Sequence, residues 1–117
     1  MQSNIHLEFL RQILLPMPAV TEKPCYGTPG FYVGKKMFAR MKEDEETLVV
    51  HSFEREIWME KDPDTFFVTD HYLDYDYVLV SLPKVAPEDL VSLLLRAWTN
   101  RATAQLIKVF HENLKII

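Results

Sequence analysis

The fold is decided by residues 14–41, whose sequence is LLPMPAVTEKPCYGTPGFYVGKKMFARM. The stretch runs from the end of a helix, through a proline-rich turn, into two strands. Gly34 and Lys35 separate the strands and suit a two-residue type II′ turn, because glycine tolerates the positive φ of the first central position. The stretch therefore predicts a hairpin in which residues 31–33 pair with residues 36–41.

Alternation along this hairpin predicts two faces. One is expected to pack against helices and consists of Tyr32, Met37, Ala39 and Met41. The other mixes aromatic rings with long cations and consists of Phe31, Val33, Lys36, Phe38 and Arg40. Open sheets with exposed aromatic and basic residues bind single-stranded nucleic acid by stacking and by phosphate contacts. The candidate nucleic-acid-binding residues are therefore Lys35, Lys36, Phe38 and Arg40. In the alternative interpretation, both phenyl rings lie in the core and the cations extend into solvent from the strand ends.

The remaining elements extend this hairpin into an α+β domain. An amphipathic helix is predicted over residues 3–15, and Pro16 and Pro18 end it. Further strands are predicted at residues 47–52, 65–68 and 77–82, with a short helix at 53–61. Pro87 opens a long helix. If that helix continued without interruption it would bury Arg101 and Lys108, so we expect a break near residues 99–100 and a separate helix over about 101–113.

The predicted fold class is α+β, with an antiparallel sheet of about five strands and N- and C-terminal helices packed on one face. Residues 1–117 are expected to form a single domain, since 48% of the chain is hydrophobic and one core suffices. The formal net charge of −4 argues against strong nonspecific binding of nucleic acid, although a local basic patch remains compatible with it.

Several classes of protein are not expected. The single cysteine excludes an internal disulfide and a cysteine-rich zinc site, and it favours a reducing compartment. The first residues do not have the pattern of a signal peptide, and no apolar run is long enough for a membrane span. We therefore expect a cytoplasmic protein with no membrane partner.

Catalytic and metal-binding signatures are weak. Cys25, His51 and His71 could form a metal site, or a nucleophile and its base, but no pair has the close spacing of metal ligands. The acidic loop at residues 70–76 lacks the glycine and the terminal glutamate of a calcium loop. No catalytic residue, metal or cofactor is expected, and the chain is predicted not to be an enzyme.

Three segments together resemble the MmcQ/YjbR family of small bacterial proteins. They are residues 15–41, residues 69–82 (TDHYLDYDYVLVSL) and residues 87–98 (PEDLVSLLLRAW). The resemblance implies a fold like that of frataxin-type CyaY proteins and a DNA-binding function. The chain departs from the family pattern at residues 73–77, where an acidic segment replaces a glycine-containing loop and a tryptophan. Its first helix offers only Glu8, so the acidic helix of frataxin-like iron binding is missing.

The sequence thus predicts a small non-enzymatic module that binds DNA or another nucleic acid through the basic-aromatic face. The alternative is a protein–protein adaptor that uses the same face or a groove beside Trp98. A small-molecule or metal-binding domain is the third hypothesis. We expect a monomer.

Overall fold

The computed structural model describes residues 4–116, with side chains as far as residue 113. Along the chain the elements are α1 (Ile5–Leu14), β1 (Val20–Cys25), β2 (Thr28–Val33), β3 (Lys36–Met41), β4 (Thr47–His51), α2 (Arg55–Lys61), β5 (Phe66–Phe67), a 3-10 turn (Asp70–Tyr72), β6 (Tyr77–Ser81), α3 (Pro87–Arg101) and α4 (Ala104–Ile116). The strands form one antiparallel sheet in the order β1-β2-β3-β4-β6-β5. The α+β prediction is confirmed, with six strands where about five were expected.

The unpredicted strand is β1, in the segment that the sequence assigned to a proline-rich turn. Tyr26 and Gly27 join it to β2, with φ angles of 52° and 80°. Positive φ at both central residues defines a type I′ turn, whose twist matches that of paired strands. The register places Cys25 opposite Thr28, so the turn of this hairpin consists of Tyr26 and Gly27 alone.

All four helices contribute to one core on one face of the sheet. Asn4 caps α1, because its side-chain oxygen accepts hydrogen bonds from the backbone N–H groups of His6 and Leu7. The predicted helix over residues 3–15 is confirmed in its described part, and residue 3 lies outside the described residues. Among residues 4–116, no helix combines the length and the apolar character that a bilayer span requires.

The predicted break in the C-terminal helix is confirmed. The helix α3 ends at Arg101, and α4 begins at Ala104. The break lets Phe110 of α4 lie against Trp98, with ring centroids 5.3 Å apart. The Trp98 side chain is fully buried, and its Nε1 donates to the carbonyl of Pro18 at 3.1 Å. The predicted groove beside Trp98 is therefore wrong, because α4 occupies that position.

The two faces of the β2–β3 hairpin differ from the predicted ones because the hairpin contains a β-bulge. Lys36 pairs with Val33 as predicted, but Phe31 pairs with Ala39 and not with Phe38. Phe38 is the additional residue in β3, and beyond it the alternation of the strand is inverted. Phe38 and Ala39 both join the core beneath the helices, whereas Arg40 points to the opposite face.

The face of the sheet opposite the helices is only partly covered. The segment of residues 70–76 lies on it, where Tyr72 forms a small second core with Val49 and Leu79. Beyond that segment lie side chains of the β1–β3 part of the sheet, among them Lys23, Tyr32 and Met37. We call this side of the sheet the open face.

Candidate functional site

The four residues predicted to bind nucleic acid do not form one surface. Phe38 has 0% exposed surface and lies in the main core, as does Phe31, so the prediction of an exposed phenyl face is wrong. The two rings share one side of the hairpin, but that side is the one beneath the helices, and the bulge adds Ala39 to it while turning Arg40 to the other side. Lys35 and Lys36 are exposed at the β2–β3 turn. Arg40 is 5% exposed on the open face, where it is separated from Phe38 by the thickness of the sheet.

Arg40 is held in place by three side chains. Its Nη1 donates to the hydroxyl of Tyr72 at 2.9 Å, and its Nη2 donates to Thr28 Oγ1 at 3.3 Å and to Glu43 Oε1 at 2.8 Å. The Nε–H is buried and has no hydrogen-bond partner among the described residues. A buried donor left without an acceptor is costly, and such groups are rare in native proteins.

The guanidinium stays charged in this setting. Burial acts to lower the pKa of Arg40, but the hydrogen bonds to Tyr72 and Glu43 and the negative charge of Glu43 outweigh it, and the net pKa is raised. The pKa of Glu43 is lowered by a hydrogen bond from its own backbone N–H and by the one from Arg40. The two side chains therefore form an ion pair in which the arginine is buried and the carboxylate is exposed.

Tyr26 stands over this arginine at the tip of the β1–β2 hairpin. The Arg40 Cζ atom lies 5.5 Å from the centroid of the Tyr26 ring, within the range of a cation–π contact. The tyrosine is nevertheless 88% exposed. Its positive φ is uncommon for a bulky residue, and such conformations cluster at functional sites.

Replacing Tyr26 by asparagine is expected to leave the free energy of unfolding unchanged or to raise it by up to about 1 kcal/mol. Asparagine before glycine suits the type I′ turn, and that gain offsets the lost contact with Arg40. Urea denaturation followed by circular dichroism measures the difference. A loss of more than about 1 kcal/mol would show that the tyrosine is retained for stability.

A second tyrosine extends the site along the open face. Lys23 Nζ lies 4.5 Å from the centroid of the Tyr32 ring, on the side away from the helices. Gly30 makes room for this arrangement, because a Cβ atom there would lie 2.8 Å from Cys25 Cβ and 3.3 Å from Tyr32 Cε1. A half-buried aromatic ring and an exposed cation thus adjoin each other here, on the face opposite the predicted one.

Two clefts flank Arg40, and their charges differ. The first has a volume of about 290 Å³ and is lined by Tyr26, Arg40, Lys42, Glu43, His71 and Tyr72; we call it the Arg40 cleft. The second, of about 600 Å³, is larger and includes Glu8, Glu43 and Glu45 with Arg11 and Lys42. The Arg40 cleft has two permanent cations and one carboxylate, whereas the larger cleft has three carboxylates and two cations. The smaller cleft is the better match for an anion.

Arg55 fixes the segment that forms one wall of the Arg40 cleft. Its Nη1 donates to the carbonyls of Tyr72, Tyr75 and Tyr77 at 3.1, 2.7 and 3.2 Å, and its Nη2 donates to that of Leu73 at 2.6 Å. Four carbonyl groups therefore converge on one guanidinium. Arg55 has no role that the sequence alone predicts, because nothing in its local pattern indicates contact with a loop some twenty residues away.

The third hypothesis is a metal site, and the described residues do not provide a set of ligands for one. Within the described part of the chain, no group of three or more His, Cys, Asp or Glu side chains could hold a metal ion. Cys25 Sγ lies 3.6 Å from Met37 Sδ, and His71 lies against Tyr72. Burial lowers the pKa of His51, and the charge of Arg101 lowers it further.

Comparison with solved structures supports the fold. The crystal structure of Deinococcus radiodurans protein DR2400, which has a DUF419 domain, has a TM-score of 0.68 to this chain and 22% sequence identity, covering 84% of this chain and 80% of that one. At this identity the match shows the fold alone. The more specific likeness to CyaY proteins stays a prediction.

Sequence comparison relates the chain to mycobacterial proteins. The uncharacterized proteins Mb2600 of Mycobacterium bovis and Rv2570 of Mycobacterium tuberculosis are 36% identical to it over 52 residues, which is 44% of this chain and 40% of each relative. The match thus spans well under two thirds of the curated relatives. The family model YjbR matches residues 15–100, which include the complete sheet and most of α3. The predicted family resemblance is confirmed, and the chain belongs to the YjbR family.

Proposed function

We propose that this protein is a non-enzymatic module that binds short single-stranded nucleic acid on its open face. The observation that supports the proposal is the pairing of tyrosines with cations, the exposed Tyr26 with Arg40 and the half-buried Tyr32 with the exposed Lys23. Tyrosine rings stack on bases, and lysine and arginine contact phosphates. This function is the one predicted from sequence, with a changed set of residues: Arg40 lies at the centre of the proposed surface, Lys35 and Lys36 lie at its edge, and Phe38 is not part of it.

The shape and charge of the open face favour a short single strand over a duplex. A flexible single strand can place a base against Tyr26 and a phosphate in the Arg40 cleft, whereas stacked, paired bases cannot reach a ring. The net charge of −4 limits the sequence-independent attraction on which duplex binding relies. Lys35 and Lys36, exposed at the next hairpin turn, stay candidate phosphate contacts at the edge of this surface.

Binding of a labelled single-stranded oligonucleotide is expected to weaken about tenfold when Tyr26 is replaced by alanine, since stacking contributes about 1–3 kcal/mol per base. Fluorescence anisotropy at low and at moderate salt measures this affinity and its salt dependence. The matched control is Tyr75→Ala, which removes another exposed tyrosine from the 70–76 segment. We expect the control to bind as the wild type does.

Two outcomes would contradict the proposal. One is the absence of any oligonucleotide binding at low salt, where phosphate contacts are strongest. The other is equal weakening by Tyr26→Ala and Tyr75→Ala. Charge reversal at Arg40 is a poor test, because that side chain is buried and its loss would disturb folding as well as binding.

A protein–protein adaptor is the second candidate, and a specific apolar strip favours it. Ile5 is 76% exposed and shares a groove with Phe9 and Pro87. Pull-down with and without nuclease separates the two candidates when Ile5→Ser and Tyr26→Ala are compared. If a partner is still retained after nuclease treatment, and only the Ile5→Ser variant fails to retain it, the partner is a protein that binds the apolar strip.

A further inference from the structure

The three side chains that anchor Arg40 are not equally buried, and this difference suggests how an anion would bind. Tyr72 and Thr28 hold the guanidinium from within the fold, and Arg40 is more than nine-tenths buried. Glu43 is on the solvent side, with 65% of its side chain exposed. Because glutamate is long and flexible, it can move away from Arg40 without disturbing either internal anchor.

The hydrogen bonding of the arginine is also incomplete. An arginine has five N–H donors, and Glu43 accepts from only one of them, on Nη2. The buried Nε–H remains without a partner in the described residues. A phosphate presents more acceptor oxygens than this single carboxylate contact, and arginine commonly binds phosphate through two parallel hydrogen bonds. The unpaired donor is thus an independent observation that points to a ligand.

We propose that the Arg40 cleft is a phosphate subsite and that Glu43 is its internal competitor. The carboxylate occupies the anion position when no ligand is bound, and a phosphate group displaces it. Once Glu43 has moved out, the lining retains Arg40 and Lys42 and has no remaining carboxylate, and His71 adds a further donor. The inference deepens the proposed function and rests on it for the source of the phosphate, which is the backbone of a nucleic acid.

If Glu43 competes with phosphate, its replacement should increase the affinity for phosphate, whereas replacement of an ordinary binding residue would decrease it. Glu43→Gln is expected to raise the affinity for phosphate roughly three- to tenfold, since an ion pair with one exposed partner is displaced at modest cost. The matched control is Glu46→Gln, which removes the same charge from the same acidic loop, at an exposed position. The control corrects for the general effect of a less negative chain.

Inorganic phosphate and an oligonucleotide are the two probes. NMR titration with inorganic phosphate follows the Nε–H resonance of Arg40, and anisotropy follows the oligonucleotide. We expect Glu43→Gln to exceed Glu46→Gln with both probes and the Nε–H resonance to shift. Equal affinities in the two variants, or an Nε–H resonance that does not respond to phosphate, would overturn the inference.

The outcomes also separate this inference from the proposed function. If phosphate shifts the Arg40 resonance in Glu43→Gln but no variant binds an oligonucleotide, the nucleic-acid proposal fails and the phosphate subsite stands. If oligonucleotides bind and Glu43→Gln behaves as Glu46→Gln does, the subsite fails and the nucleic-acid proposal stands.

Discussion

Replacing Phe38 by alanine is expected to lower the free energy of unfolding by about 3–5 kcal/mol. The ring is fully buried between the sheet and the helices, in the same core as Trp98 and Leu94. Truncation removes its apolar contacts and leaves a cavity that the surrounding strands cannot close, because Phe38 lies at the bulge that sets the hairpin register. Guanidinium denaturation followed by circular dichroism measures the loss.

The control for this prediction is a neighbour on the same strand. Lys36 was predicted to share a face with Phe38. It is the first residue of β3 and is exposed, whereas Phe38 is buried. Lys36→Ala is expected to change the free energy of unfolding by less than about 0.5 kcal/mol. A loss below about 1 kcal/mol for Phe38→Ala would mean that the ring is outside the core, as the original interpretation of the hairpin required. Phe38→Leu, which retains most of the volume, gives an intermediate value if Phe38→Ala does not fold.

Local patterns were sufficient to predict most of the helices and strands. The break before α4 follows from the positions of Arg101 and Lys108, because a continuous helix would have buried two cations. The hairpin between β2 and β3 follows from Gly34, whose φ is 60° as a type II′ turn requires. In both places the local sequence leaves only one conformation of low free energy: a break in the helix in the first case, and a type II′ turn in the second.

The faces of the sheet could not be predicted in the same way. Strand alternation has a period of two, so one additional residue inverts every later side chain. Nothing in the residues 36–41 marks Phe38 as that residue, because both registers place apolar side chains in the core. Tyr26-Gly27 did offer a sign of the missed hairpin, since a two-residue turn ending in glycine is typical of type I′ geometry.

The site depends on contacts between distant parts of the chain. Arg40 and Tyr72 are 32 residues apart, and no periodicity connects them. Local sequence therefore identified the arginine as a candidate but could not supply its surroundings. The same is true of the local charge: a chain with a net charge of −4 still has a cleft in which cations exceed carboxylates. What decides anion binding is this local balance, which only the fold brings about.

Replacing Arg55 by methionine is expected to lower the free energy of unfolding by about 2–4 kcal/mol. Hydrogen bonds to charged groups contribute about 1.5–3 kcal/mol each, but water can replace the donor at the exposed carbonyls of Leu73 and Tyr75. The Arg55 side chain is 16% exposed, and its loss leaves four carbonyl groups of the 72–77 segment without their donor. Denaturation measures the change, and hydrogen exchange should show faster exchange in this segment. Because Tyr72 belongs to it and accepts from Arg40, oligonucleotide affinity is expected to fall as well.

Arg96→Met is the matched control, because it removes the same charge and a similar volume from an exposed position. Arg96 is 63% exposed in its side chain and donates to Glu54 at 3.0 Å, and an ion pair of this kind contributes about 0–1 kcal/mol. If both variants lose the same stability, the convergence of carbonyls on Arg55 has no special energetic role. If Arg55→Met unfolds the segment but oligonucleotides bind unchanged, then Tyr72 is not needed to hold Arg40, and the wall of the Arg40 cleft contributes nothing to binding.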